Sequence, residues 1–220
     1  MHNKSAFPLF RTSFQTWAPF LLTIFLSGGI NIGNSQPTSP ELAIRELQDG
    51  YLLVRLPASR GKIDTLSAMV ARTTDPDQKK RLEVMLDRTI RERDALISSY
   101  TNALSTEYRF SRSAYYFDYD SRDLTSTTFY NPDGQEIHIN INDPATPLYF
   151  LYFERTEEAK IDALVVYDRN GQKVPAPFPN NFTRSGISFL FLRLMDQDYP
   201  AWRMRKINKR LYKYLERVGG

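Results

Sequence analysis

The chain has 220 residues, 41% hydrophobic and 25% charged, with a formal net charge of +4, two histidines and no cysteine. Without thiols there can be no disulfide framework, thiolate zinc site or Cys nucleophile. His138 is the only histidine after His2, so multi-His zinc sites and Ser-His-Asp triads are strained, and any catalysis would fall to carboxylates, Tyr, Lys or Arg.

In chain order, residues 1–35 come first and read as a cleavable signal peptide. Lys4 and Arg11 form a positive start with no acid before Glu41. Trp17 to Leu26 is an apolar run of ten residues. Ser27, Gly28 and Gly29 follow, and the small residues Gly33 and Ser35 sit three and one positions before Gln36, the expected cleavage point. A membrane-crossing helix needs about 20 apolar residues, and Pro19 and the Gly pair shorten this one further. The expectation is export, to the periplasm or beyond, with no lipid anchor and no transmembrane segment in the mature chain. Cleavage leaves 185 residues, which suits a short linker at 36–40 and one domain over 41–220.

Glu41 to Gln48 can form a short helix ending at Asp49-Gly50, where Gly50 suits a left-handed terminal position. Tyr51 to Leu56 is almost continuously apolar and reads as a buried strand, interrupted by Arg55. Ile63, Leu66, Met69 and Val70 recur at helical spacing up to Thr73. Asp75-Pro76 then starts a long helix, with Asp as N-cap and Pro in the first turn. Its apolar face is Leu82, Met85, Leu86, Ile90, Leu96, Ile97, Tyr100 and Leu104, running to about Tyr108. Residues 61–108 are therefore a charged helical hairpin that packs on a sheet.

After the hairpin the period changes to two. Strands are expected over 114–119, 127–130, 136–141, 148–153 and 161–167, with turns at Asn131-Pro132-Asp133-Gly134 and Arg169-Asn170-Gly171. Pro175, Pro177 and Pro179 impose an extended loop. Ile187 to Leu194 is apolar and fits helix or strand. After Pro200 a terminal amphipathic helix spans about Ala201 to Val218. This order gives an α/β fold, with α+β as the variant. It predicts a mixed sheet of five to six strands in which 51–56 and 114–119 are parallel neighbours joined by the helical crossover.

Three features carry candidate chemistry. The first is Asp118-Tyr119-Asp120 at a strand end, with Asp123 close behind. Carboxylates there can hold Mg²⁺ and a phosphate ester, so a Mg-dependent phosphoesterase using Asp118 and Asp120 is the alternative function. The pattern is similar to the opening of haloacid-dehalogenase-like phosphatases. Asp120-Ser121-Arg122 matches that family loosely, and its later acidic pair is missing. The bland reading is a solvated strand end rich in turn formers.

The second feature is Arg55. A charge in an apolar strand must be paired, with Asp118 or Glu154 as partner, or must bind a ligand. The third is the terminal helix. Without Lys4 and Arg11 the chain is +2, and residues 202–220 alone hold +6, so the rest leans acidic at −4. Ile207, Leu211, Tyr214, Leu215 and Val218 form the apolar face. Arg203, Lys206, Arg210, Lys213 and Arg217 recur at steps of three and four, as one basic stripe. The stripe suits a solvated face or contact with an anionic envelope surface or acidic protein partner. Export disfavours nucleic acid. His138 falls on the polar side of its strand, and Asn181-Phe182-Thr183 is a formal glycosylation sequon.

Phe110 to Asp120, together with Ile161 to Gly171 and the Pro177-Phe178-Pro179 loop, resembles an uncharacterised exported family of Bacteroidota. Its members share a signal peptide, a strand like Leu-Val-Arg-Leu, a charged helical hairpin and a Pro-Phe-Pro loop. The likeness spans most of residues 41–218. It implies an envelope location and no assigned activity, so no catalytic residue carries over. The leading expectation is a non-enzymatic binding or interaction domain of the envelope or periplasm, with no cofactor or metal.

Overall fold

The fold is known from a computed structural model, which describes residues 39–120, 124–155, 162–183 and 198–219. The expected signal peptide, Asp123 and the Ile187–Leu194 segment lie outside the described residues. Among those described there are four α-helices and seven strands. No described helix is long and apolar enough to cross a membrane.

The first helix, α1, spans Pro40–Asp49; Ser39 caps it, its hydroxyl accepting a hydrogen bond from the Leu42 amide at 3.2 Å. Strand β1 (Tyr51–Leu56) follows at once. Helices α2 (Arg60–Arg72) and α3 (Pro76–Glu107) form the crossover. Asp75 starts α3 by accepting from the Asp77 and Gln78 amides, the capping role its position implied. At 32 residues α3 is about 48 Å long. Its first half pairs with α2, where Leu66 and Leu82 are buried, and its last turns enter the main core through Tyr100, Ala103 and Leu104.

Strand β2 (Arg112–Phe117) lies parallel to β1, from Tyr51 opposite Arg112 to Leu56 opposite Phe117. The strand expected over 114–119 therefore ends two residues early, and Asp118–Asp120 is a 3₁₀ turn. Next come β3 (Phe129–Tyr130), β4 (Glu136–Ile137), β5 (Leu148–Arg155), β6 (Asp162–Tyr167) and β7 (Asn181–Thr183). The sheet order is β4-β3-β2-β1-β5-β6-β7. β1 runs parallel to β2 and β5, and the outer pairs are antiparallel. The seventh strand comes from a segment read as loop. The chain returns after its prolines so that Asn181 and Phe182 pair with Val165 and Leu164. The sequon is thus a strand, with the Asn181 side-chain oxygen buried. The strand expected over 136–141 keeps only two residues, because Ile139 turns inward to cover the sheet.

Alternation along the strands builds two cores. Leu52, Val54, Leu56, Tyr149, Leu151, Leu164 and Val166 face α1, α3 and the terminal helix α4 (Tyr199–Gly219). Leu53, Ala114, Tyr116, Leu148 and Phe150 face the other way, against Phe129 and Ile139. Gly50 joins α1 to β1 with φ −98°, not in the left-handed form expected of it.

Candidate functional site

The basic helix was the strongest sequence signal, and packing redraws it. α4 presents Met204, Ile207, Leu211 and Tyr214 to the core. Arg203 lies on the flank of that apolar face. It is only 5% exposed, its guanidinium donating to the Phe182 carbonyl at 2.9 Å and the Tyr100 hydroxyl at 3.3 Å. It therefore leaves the expected surface stripe, because Phe182 in β7 and Tyr100 in α3 offer it two acceptors. Asn208 locks the helix in place, accepting from the Arg109 and Phe110 amides and donating to the Glu107 carbonyl.

What remains outside is a stripe of Lys206, Lys209, Arg210, Lys213 and Arg217. Lys206 is half-buried, with its ammonium 4.7 Å over the Trp202 ring. Burial, then the Arg210 and Arg203 charges, hold its pKa below the ordinary lysine value. Arg210 donates to the Asn181 carbonyl at 3.2 Å and lies 5.6 Å over the Phe182 ring. Lys209, Lys213 and Arg217 are exposed and make no ion pair among the described residues. Arg205, on the edge, pairs with Glu107 at 3.0 Å. Lys209 is the residue sequence reasoning left out of the stripe. Centring the wheel on Ile207 and Leu211 would have found it, since a residue two before Leu211 points away from the core.

The second site lies at the carboxyl ends of β1, β2 and β5. Arg55, Pro57, Asp118, Tyr152, Phe153 and Glu154 enclose a cavity of about 230 Å³. The ion pair expected for Arg55 does not form. Asp118 instead accepts from the Ala58 amide at 2.9 Å, and Glu154 accepts from the Tyr167 hydroxyl at 2.8 and 2.9 Å. The Arg55 Nε is buried with no hydrogen-bond partner, and its guanidinium stands 5.6 Å from the Tyr152 ring. The adjacent Tyr116 hydroxyl is also buried without a partner, Tyr152 being near but outside hydrogen-bonding geometry. Burial and then Tyr152 push the Tyr116 phenol well above its ordinary pKa, with Arg55 opposing.

Of the phosphoesterase candidates, Asp118 lines the cavity and accepts from the Ala58 amide, Asp120 closes the same 3₁₀ turn as Asp118, and Asp123 lies outside the described residues. Among the described residues no three His, Asp or Glu side chains gather as a metal site needs. A larger hollow of about 560 Å³ lies between α3, α4 and the sheet end, lined by Leu96, Tyr100, Phe153, Glu154 and Arg203. Its two charged side chains are already engaged, Arg203 by the Phe182 carbonyl and Glu154 by the Tyr167 hydroxyl. No family model matches this chain, and neither does any curated protein or solved structure. The two sites are therefore read from their own residues.

Proposed function

We propose that this is an exported envelope protein that binds its target without converting it, and that the outer face of α4 is its contact with an anionic lipid surface. The observation that carries this is the stripe of Lys206, Lys209, Arg210, Lys213 and Arg217, five cations on a helix whose own sequence holds one acid, Glu216. Like charges held this close repel one another, and a layer of phosphate headgroups relieves that repulsion. Trp202 and Tyr212 add amphipathic rings beside the stripe, Tyr212 being 40% exposed. Export supports the reading by placing the domain beside membranes and away from nucleic acid.

Co-sedimentation with vesicles checks it. Binding to phosphatidylcholine vesicles containing phosphatidylglycerol should exceed binding to phosphatidylcholine alone, and should fall as salt rises. A surface cation is worth about 1 kcal/mol at an anionic membrane, so Lys209→Glu with Lys213→Glu should weaken binding at least about 30-fold, the loss of the two cations alone. Equal binding to both vesicles would sink the proposal. The export half has its own measurement. Protein recovered from the envelope or medium should begin at or within a few residues of Gln36, and a chain that keeps Met1 in the cytoplasm contradicts it.

A further inference from the structure

We infer that the groove between α3, α4 and the carboxyl end of β5 takes one acyl chain of an anionic phospholipid, whose head group lies against Lys206 and Arg210. This rests on the proposal that the outer face of α4 meets anionic lipid, and adds where the chain of a single lipid goes.

Several large side chains stand half-buried in one place. Leu96 of α3, Phe153 of β5, and Tyr199 and Pro200 of α4 line the same hollow of about 560 Å³. The buried Tyr100 ring, edge-on to Phe153 at 4.8 Å, lines it too. Contiguous apolar surface of this kind marks contact with a lipid, ligand or partner, and the volume is that of a small-ligand site. Its two charged groups are not waiting for a polar ligand. Arg203 donates to the Phe182 carbonyl at 2.9 Å, and Glu154 accepts from the Tyr167 hydroxyl at 2.8 Å. The groove therefore offers chiefly apolar contact, which an aliphatic chain satisfies with no polar partner. Glu154 also disfavours an anionic head inside the groove, so the head belongs at the rim.

The rim carries the matching charge. Tyr199, Arg203, Lys206 and Arg210 are spaced by four, three and four residues, so they share one flank of α4. The contacts agree. The Arg203 guanidinium lies 5.3 Å over the Tyr199 ring, Tyr199 stacks on Trp202 at 6.0 Å, and the Lys206 ammonium lies 4.7 Å over Trp202. Lys206 stands about 5 Å along the axis from Arg203, the last groove residue on this flank. Neither Lys206 nor Arg210 is ion-paired among the described residues. A phosphate at this rim meets two cations while its chain turns in beside Tyr199 and Pro200. The Tyr199 and Trp202 rings fall at the boundary of chain and head, where amphipathic rings are favoured.

The test is isothermal titration calorimetry of the full chain with lysophosphatidylglycerol below its micelle concentration, since monomeric lipid needs no bilayer. Each CH₂ that leaves water is worth about fourfold in affinity, so a twelve-carbon chain should bind about 15-fold tighter than a ten-carbon one. Lysophosphatidylcholine of the same length should bind about tenfold weaker, and Lys206→Gln should narrow that gap about threefold. Ala95→Trp, at an exposed position on the groove rim, should weaken the twelve-carbon lipid at least about tenfold and move the melting temperature by less than about 2 °C. That loss also separates the groove from the apolar run Trp17 to Leu26. Were Ala95→Trp to unfold, the chain-length series on the wild type still decides. The inference is overturned by no saturable binding, by affinity that ignores chain length, by equal binding of the two head groups, or by a folded Ala95→Trp that binds as wild type does. A dimer that forms with rising concentration and is lost in Ala95→Trp would give the groove to a second copy, and overturns it too. Failure here with the preference for anionic vesicles intact leaves the surface reading of α4 standing. Monomer binding without that vesicle preference does the reverse.

Discussion

Replacing Arg203 by alanine should lower stability by about 3 kcal/mol and the melting temperature by about 6–12 °C. The change removes two hydrogen bonds from a charged donor and takes the Phe182 carbonyl's Arg203 donor away in a site where Arg203 was 5% exposed. The Phe182 carbonyl belongs to β7, whose pairing with β6 covers three residues, so the loss should loosen that edge first. Arg203→Lys keeps the charge without the fork, cannot reach both acceptors together, and should fall between wild type and alanine. Thermal unfolding followed by circular dichroism measures the difference. A loss under about 1 kcal/mol would mean that Arg203 behaves as a surface residue and that the stripe is the one periodicity alone suggested. The vesicle assay separates the two roles. Folded Arg203→Ala should bind anionic vesicles nearly as wild type does, whereas reversal at Lys209 and Lys213 should abolish most binding with little change in melting temperature.

Gly50→Ala should cost a similar amount, about 3 kcal/mol, for a different reason. A Cβ at Gly50 would sit 2.3 Å from the Pro147 carbonyl oxygen, 2.8 Å from the Glu46 carbonyl oxygen and 2.8 Å from the Pro147 Cβ. None of these atoms is the end of a flexible side chain. The backbone at φ −98° is open to alanine, so the cost is steric and not conformational. The contact matters because the Tyr51 amide donates to the same Pro147 carbonyl at 2.9 Å, the first link between β1 and β5. Relieving the clash must push the two strands apart near that link, and their register runs on to Val54 and Leu151, next to Arg55 and Tyr152. Equilibrium denaturation gives the stability, and a wild-type midpoint for Gly50→Ala would show that the α1–β1 junction can widen freely.

Much of the architecture was legible because periodicity is local. The run from Tyr51 to Leu56 marked a buried strand, and the apolar repeat after Asp75 marked the long helix, each set by which faces of a short segment must leave water. The parallel pairing of β1 and β2 followed from the length of the crossover between them. The edge strand β7 was not legible, because Asn181 and Phe182 form a strand only when β6 is there to pair with them, and three prolines precede them.

At the sites the division is sharper. By itself the sequence determined that thiol and multi-histidine chemistry are absent, that positive charge gathers in the last helix, and that Arg55 interrupts an apolar strand. Only the tertiary structure decided that Arg203 turns inward while Lys209 joins the stripe, and that Arg55 stands apart from Asp118 and Glu154. The physical reason is the range of the interactions. A helical repeat tells which residues share a face. Whether a cation on the border of that face is solvated depends on an acceptor 21 residues away in β7. Whether Arg55 is paired depends on an amide three residues along the chain claiming Asp118, and on a tyrosine across a hairpin claiming Glu154.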